Sequence, residues 1–194
     1  MAETEALQYD ERVAIGRLRA LLELLPTALD RELTTTGLTS FEFTLLEALH
    51  EAEHGRLRLT ALASKTNATL PRLSRVVTGL ERKSLVTRAA CEEDGRATNA
   101  VLTDAGARAY ADSRPLYEHA VRRLILDGLG DDGVAGLAEL SYAILSRLDP
   151  ERRLAVTGDE PAAPCGADPA PDGDGQSPLD CPADPAPAVL SRTS

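Results

Sequence analysis

Two helical patterns joined by a turn and followed by two alternating segments lie between Thr60 and Leu102, and this order constrains the fold more than any other feature. Residues 60–66 predict a short helix, and Asn67-Ala68 predicts a turn. Thr69 then caps a longer helix, in which the early proline Pro71 costs no hydrogen bond. The apolar residues of this longer helix form one stripe that should be buried: Leu73, Val76, Val77 and Leu80.

The segments after the second helix alternate in the manner of β-strands. They cover residues 85–90 and 97–102 and flank Glu92-Glu93-Asp94-Gly95, where Asp-Gly is a strong short-range signal for a hairpin. A further short strand is predicted where Leu57 and Leu59 alternate with Arg56 and Arg58. The whole segment therefore predicts a winged helix-turn-helix.

Longer amphipathic helices are predicted on both sides of this segment. Residues 11–33 form one that Pro26 should kink, and a capping box over Thr39 to Glu42 starts a second that runs to about residue 53. After the hairpin come a helix over 103–126, interrupted at Pro115, and a last one over 131–148. These last two carry more apolar surface than a small winged domain would bury, which suggests a helical dimer interface.

The predicted fold is mainly α with a small β-wing. Its winged helix-turn-helix DNA-binding domain spans residues 39–103, between an N-terminal dimerisation helix in 1–38 and C-terminal dimerisation helices in 104–149. Residues 150–194 are rich in Pro, Ala, Gly and Asp, with eight acids against three arginines. This composition predicts a disordered acidic tail.

Positive charge is concentrated in one short stretch of an acidic chain. Between Arg56 and Arg96 nine Arg or Lys residues face four acids, although the whole chain has a formal charge of −10. A local basic surface of this kind is a footprint for a polyanion. Within it, Arg82, Lys83 and Arg88 are expected to be solvated charges.

Composition limits the other function classes. Three cysteines at unrelated spacings, Cys91, Cys165 and Cys181, fit neither a disulfide framework nor a Cys-x-x-Cys metal site. The acidic N-terminus is not a signal peptide, and no apolar run is long enough to span a membrane, so a cytoplasmic protein without a membrane partner is expected. With neither a Gly-rich phosphate loop nor a Gly-x-Ser-x-Gly motif, we expect no enzyme and no cofactor.

Positions 57–110 resemble the multiple-antibiotic-resistance regulator (MarR) family of bacterial transcription factors. The residues that carry the resemblance are Leu62-Ala63, the apolar stripe of the longer helix, Leu85-Val86, Asp94-Gly95-Arg96 and Val101 to Gly106. Ser84 stands where the family usually has Gly. The resemblance implies a homodimer that places two recognition helices in successive major grooves of a pseudopalindromic operator.

The candidate DNA-binding residues follow from residue chemistry and from the resemblance. Arg72 and Arg75 lie one turn apart near the start of the recognition helix, and Arg can bond guanine O6 and N7 together. Thr69 and Lys65 are assigned to phosphates. By the resemblance, Arg96 enters the minor groove and Asp94 orients it. The set is completed by Asn67 and Ser74.

Two further sites are candidates. A ligand pocket between the dimerisation helices and the winged domain is assigned to Phe41, Phe43, His50 and Tyr117, although core packing is the role expected first for both Phe. His50-Glu51-Ala52-Glu53-His54 also satisfies the H-E-x-x-H zinc motif, but it lies at a helix end without a third ligand, which argues against catalysis. A regulatory zinc held by His50, His54 and His119 is the weaker alternative. Cys91 is interpreted as a structural or incidental wing residue.

These observations predict a homodimeric, sequence-specific DNA-binding transcriptional regulator, a repressor released by a small-molecule effector. The alternatives are a zinc-responsive regulator that uses His50 and His54, and a winged-helix protein-interaction module without DNA affinity.

Overall fold

The computed structural model describes residues 6–90, 97–130 and 132–157. Within these ranges the chain is mainly helical with a small antiparallel sheet, as predicted. The helices are α1 (Tyr9–Glu32), α2 (Ser40–His50), α3 (Leu59–Lys65), α4 (Leu70–Arg82), α5 (Asp104–Leu124) and α6 (Gly133–Leu148), and the strands are β1 (Arg56–Arg58), β2 (Val86–Ala90) and β3 (Thr98–Leu102).

Side-chain caps fix where α2 and α5 begin. The predicted capping box is confirmed: Glu42 N donates to Thr39 Oγ1 over 3.2 Å, and Thr39 N donates to Glu42 Oε2 over 2.9 Å. Thr103 caps α5 by accepting from Gly106 N at 3.0 Å. Each cap satisfies backbone N–H groups that have no partner inside the helix.

The sheet joins the wing to the short strand that precedes α3. β3 lies in the middle, antiparallel to β1 on one side and β2 on the other. Val86 pairs with Leu102 and Ala90 with Thr98, so the predicted hairpin is confirmed along both of its strands. Gly106 lets α5 start close to β2, because a Cβ at this position would lie 2.1 Å from the Leu85 carbonyl oxygen.

The main core lies where α2, α3 and α4 meet the sheet. Leu73, Val77 and Leu80 of the predicted stripe are fully buried, and Val76 packs against them from a partly buried position. Their neighbours in the core include Phe43, Leu45, Leu46, Leu49, Leu62 and Val86. This burial fixes which face of α4 remains exposed.

Two helix boundaries differ from the prediction. α5 continues through Pro115, so the predicted interruption there is wrong. A proline removes one backbone hydrogen bond, to the carbonyl of Ala111, and both residues are exposed, so solvent can hydrate that carbonyl. α1 also continues through Pro26, and the kink expected there stays a prediction. α2 ends at His50 rather than near residue 53, because a 3₁₀ turn over Glu53–Gly55 follows it.

The start of the predicted tail packs on the domain. Asp149 accepts hydrogen bonds from Arg153 N at 3.0 Å and Leu154 N at 2.8 Å, and also from the Thr157 hydroxyl. Ala155 N donates to the Ser64 carbonyl of α3 over 3.3 Å. Residues 150–157 therefore form a folded turn against α3, contrary to the expectation of disorder from residue 150; the rest of the tail lies outside the described residues.

The described part of the chain contains no helix with the length and apolar character needed to span a membrane.

Candidate nucleic-acid interface

A tight turn between α3 and α4 sets the position of the candidate recognition helix. Asn67 takes a left-handed conformation with φ 53°, which Asn tolerates better than most residues. The turn is closed by Ala68 N, which donates to the Ala63 carbonyl over 2.9 Å, and by the buried Thr66 hydroxyl, which donates to the Leu62 carbonyl over 2.7 Å. α4 is thereby held at a fixed angle to α3.

Exposed polar side chains lie just before and along the first turns of α4, beside the exposed Leu70, and we call this set the recognition face: Asn67, Thr69, Arg72, Ser74 and Arg75. Thr69 is the N-cap residue of α4, as predicted, but its side chain makes no capping bond to the backbone. No acidic residue occurs in the sequence between Glu53 and Glu81, so the only formal charges that this stretch contributes are positive. A cationic helix start of this kind suits a phosphate backbone.

Arg72 and Arg75 both lie on this face but are held differently. The Cζ atom of Arg72 lies 4.3 Å from the ring centroid of Phe41, which is a cation–π contact. Arg75 Nε donates to the Pro71 carbonyl of its own helix over 3.3 Å. Both guanidinium groups are exposed and one helical turn apart, so they can enter one groove together.

Arg88 ties the wing to the recognition helix. From β2 its Nη2 donates to the Ser74 carbonyl at 3.0 Å and to Thr78 Oγ1 at 3.1 Å, while Nη1 pairs with Glu81. The Ser74 hydroxyl accepts a further, longer bond at 3.3 Å from the same Nη2. The expectation that Arg88 is merely a solvated charge is therefore wrong, because sequence spacing does not show that β2 lies beside α4.

Two lysines near this surface are paired as well. Lys65, predicted to bind phosphate, lies 3.0 Å from Glu51 Oε2, so a phosphate would have to compete with that carboxylate. Lys83 Nζ donates to both carboxylate oxygens of Glu42 at 2.8 Å and to the Gly37 carbonyl at 2.9 Å. Lys83, too, was expected to be solvated and is instead a structural link; Arg82 is exposed.

The tip of the wing, with Asp94, Arg96 and Cys91, lies outside the described residues. The paired strands β2 and β3 lead into it from Ala90 and Thr98. The roles assigned to Asp94 and Arg96 stay predictions.

The residues assigned to a ligand pocket separate into two places. Phe43 is fully buried and stacks on Tyr117 with ring centroids 4.1 Å apart, and it also contacts Tyr110 at 5.3 Å. His50 is exposed and lies 4.7 Å from the Tyr110 ring. Phe41 lies instead under Arg72. Tyr110 was missed by the sequence reasoning, although it lies seven residues, two helical turns, before Tyr117.

Acidic residues border this aromatic cluster of Phe43, Tyr110, Tyr117 and His50. Burial raises the pKa of the Glu47 carboxyl, and the charge of Glu51 raises it further. Burial also raises the pKa of the Tyr117 hydroxyl, opposed by its hydrogen bond with Thr44. The cluster thus combines ring faces with groups that favour their neutral forms, which is chemistry that an aromatic or acyl ligand could use.

The zinc motif does not form a site in the described residues. His50 ends α2, whereas His54 has left-handed φ of 56° in the following turn, so the two histidines do not share a helical face. Within the described ranges no group of three or more His, Cys, Asp or Glu side chains is placed to hold a metal ion. The described geometry therefore does not bring His50, His54 and the exposed His119 together, and the zinc alternative stays a prediction that this arrangement does not support.

Comparison with known families gives a match over the winged segment. The family model of the MarR family matches residues 38–98. No curated protein matches the chain.

Solved structures match more of the chain. It is similar to AbsC, a MarR family transcriptional regulator from Streptomyces coelicolor, with 31% identity, a TM-score of 0.72 and coverage of 76% of this chain and 99% of that one. It is equally similar to Sco3205 from the same organism, a MarR family transcriptional regulator solved in complex with DNA, with 31% identity, a TM-score of 0.73 and coverage of 77% and 97%.

The fold is also shared with more distant proteins. CouR from Rhodococcus jostii, solved bound to p-coumaroyl-CoA, has 22% identity, a TM-score of 0.57 and coverage of 73% of this chain and 95% of its own. AbsC and Sco3205 are transcriptional regulators rather than enzymes.

Proposed function

The chain belongs to the MarR family, and on that premise we propose that it is a homodimeric transcriptional repressor that a small ligand releases from its operator. Membership of the family makes the chain a DNA-binding regulator. The homodimer, the repression of transcription and the release by a ligand are what we propose. In this proposal residues 1–38 and 104–149 hold the dimer together, and residues 39–103 bind DNA. Its place of action is the cytoplasm, where the operator of a bacterial gene lies.

Exposed apolar side chains support the dimer. α6 has no buried residue in the single chain, and its Leu140 and Leu148 are 69% and 75% exposed. α1 presents Leu22 at 69% exposure. Monomeric proteins rarely leave such apolar surface in water, and a second copy would cover it with the same surface by two-fold symmetry.

The recognition face supports operator binding. In a dimer two copies of α4 would lie about one helical turn of DNA apart, roughly 34–36 Å, and so contact two half-sites. Arg72 and Arg75 would contact bases, and Thr69, whose hydroxyl makes no capping bond, would contact a phosphate. The single observation that carries the proposal is this exposed, acid-free face at the start of a helix whose other face is buried.

The aromatic cluster supports ligand control. It lies between α2 of the winged domain and α5, the helix that connects that domain to the dimer surface. CouR, which shares the fold, was solved with p-coumaroyl-CoA, an aromatic acyl ligand. A ligand bound here would release the operator only by the difference between its affinities for the DNA-competent and incompetent dimers.

Titration of the purified full chain against its own upstream DNA tests the DNA-binding part. Arg75→Glu should weaken binding at least tenfold and make the salt slope shallower, because a phosphate- and base-facing cation is lost. Arg108→Glu, at an exposed position on α5, makes the same charge change away from the recognition face and is the control.

If Arg75→Glu and Arg108→Glu weakened binding equally, the effect would be one of net charge and the assignment of the recognition face would be wrong. If the chain bound no DNA at any salt concentration, including selected genomic fragments, the protein-interaction module would replace the repressor.

The dimer has its own test. Leu140→Glu should shift the chain toward monomer in sedimentation, because it places a charge in the proposed interface. Val156→Glu changes an apolar side chain that is 46% exposed outside α1 and α6, and it should leave the mass unchanged. A monomeric unmodified chain would contradict the proposal directly.

A further inference from the structure

The C-terminal segment leaves the folded domain beside the recognition face. After α6 the chain turns at Asp149 and reaches Thr157, whose side chain is 1% exposed. On the way the Ser64 hydroxyl donates to the Arg153 carbonyl over 2.5 Å, and Ala155 N donates to the Ser64 carbonyl. Ser64 is the next-to-last residue of α3, directly before Lys65 and the turn into α4. The remaining residues, 158–194, are therefore tethered next to this turn.

The tethered residues and the recognition face have opposite charge. Residues 158–194 contain seven acids and one arginine: Asp159, Glu160, Asp168, Asp172, Asp174, Asp180, Asp184 and Arg192. The face presents Arg72 and Arg75 and has no acid in its stretch of sequence. Few aliphatic and no aromatic residues accompany the acids, so charge rather than a packed contact would govern any association.

The tether is long enough to reach. A fully extended chain covers at most about 3.3–3.6 Å per residue, so the eleven residues between Thr157 and Asp168 set an upper limit of about 36–40 Å on the reach of Asp168. The thirteen residues of α4 are about 20 Å long at about 1.5 Å each. Covalent attachment also raises the effective concentration of the acids at the face above that of a free segment.

We propose that the acidic segment 158–194 binds the recognition face of its own chain when DNA is absent and competes with DNA for it. This inference rests on the proposed function, because it assigns the same face to both. DNA must then displace the segment instead of only releasing counterions, which weakens specific and non-specific binding by the same factor and makes the salt slope shallower.

A full-length variant with the seven acids replaced by Asn or Gln tests the proposal, since it keeps the length of the chain. We expect it to bind DNA about tenfold more tightly than the unmodified chain near 50 mM salt and within about twofold near 300 mM, where charge is screened. A control with residues 158–194 in scrambled order keeps the charge and should behave as the unmodified chain does. Equal affinity of the neutralised and unmodified chains at low salt would overturn the proposal, as would a scrambled chain that binds like the neutralised one.

A DNA-free measurement separates this failure from failure of the proposed function. Without DNA, the Nε–Hε resonances of Arg72 and Arg75 should differ in chemical shift between the unmodified chain and the neutralised variant. The difference should not depend on protein concentration. Unshifted resonances would show that the segment does not contact the face, even if DNA binding is intact. Shifts that grow with protein concentration would mean that the segment contacts another copy, and the intramolecular proposal would fall.

Discussion

Arg72 of the recognition helix lies over the ring of Phe41, at the start of α2, with its Cζ atom 4.3 Å from the ring centroid. The contact crosses from one helix of the winged domain to another and holds the guanidinium at the exposed start of α4. A side chain that is already ordered loses less conformational entropy when it binds DNA. Phe41 is therefore a positioning residue for Arg72 and not part of the aromatic cluster.

Replacing Phe41 should affect DNA binding more than folding. Phe41→Leu keeps an apolar side chain but removes the ring, so specific affinity should fall about threefold to tenfold. Phe41→Tyr keeps the ring and should bind the operator as tightly as the unmodified chain does. The measurement is a titration with operator and with random DNA, and a loss of equal size with both variants would rule out the ring contact.

Arg88 should act on DNA binding through Ser74, Thr78 and Glu81. Arg88→Met keeps much of the side-chain length but removes the bonds that join β2 to α4, so unfolding free energy should fall by about 1–2 kcal/mol and operator affinity should fall with it. Glu81→Gln is the matched control, because it removes the charge but leaves the bonds of Arg88 to Ser74 and Thr78. Glu81→Gln should lower the unfolding free energy, measured by chemical denaturation, and the operator affinity, measured by DNA titration, less than Arg88→Met does. A larger loss for Glu81→Gln than for Arg88→Met would contradict this account.

Glu42 joins two structural roles in one carboxylate. It closes the capping box with Thr39 and also accepts from Lys83 at the end of α4. Glu42→Ala should lower the unfolding free energy by about 2 kcal/mol. Lys83→Met leaves the capping box intact and removes the partly exposed ion pair and the hydrogen bond to the Gly37 carbonyl, so it should lower the unfolding free energy by only about 1 kcal/mol. Urea denaturation of both variants measures the difference; equal losses would mean that the cap contributes little.

Asp149 should make the turn over residues 150–157 sensitive to acid. Hydrogen bonds from Thr157, and then from the Leu154 backbone, hold the pKa of its carboxyl below the ordinary value. A lowered pKa contributes stability that is present above the ordinary pKa, near 4, and is lost as pH falls through the lowered value. Amide exchange of Leu154 should thus be slow and constant from about pH 7 to pH 5, after correction for intrinsic rates, and lose protection below about pH 4. In Asp149→Asn the Leu154 amide should be unprotected from exchange at every pH. Protection that persists in this variant would contradict the role of the carboxylate.

The order of the winged elements could be predicted from the sequence because each has a local cause. The capping box at Thr39 and Glu42, the turn at Asn67 and the paired strands 86–90 and 98–102 all depend on residues close together in the chain. The buried stripe of α4 could likewise be read from helical periodicity. The interruption of α5 predicted at Pro115 was wrong, because whether a helix accepts a proline depends on the exposure of the carbonyl that loses its hydrogen-bond donor.

The sequence by itself determined the fold class, the exposed face of α4 and its excess of positive charge, because periodicity and composition act locally. Only the tertiary structure decided which cations are available, since it places Glu51 beside Lys65, Glu42 beside Lys83, and Ser74, Thr78 and Glu81 around Arg88. It also placed Phe41 under Arg72 and residues 150–157 against α3. These partners are distant in the chain or lie on different elements, and the packing of the core sets their separation.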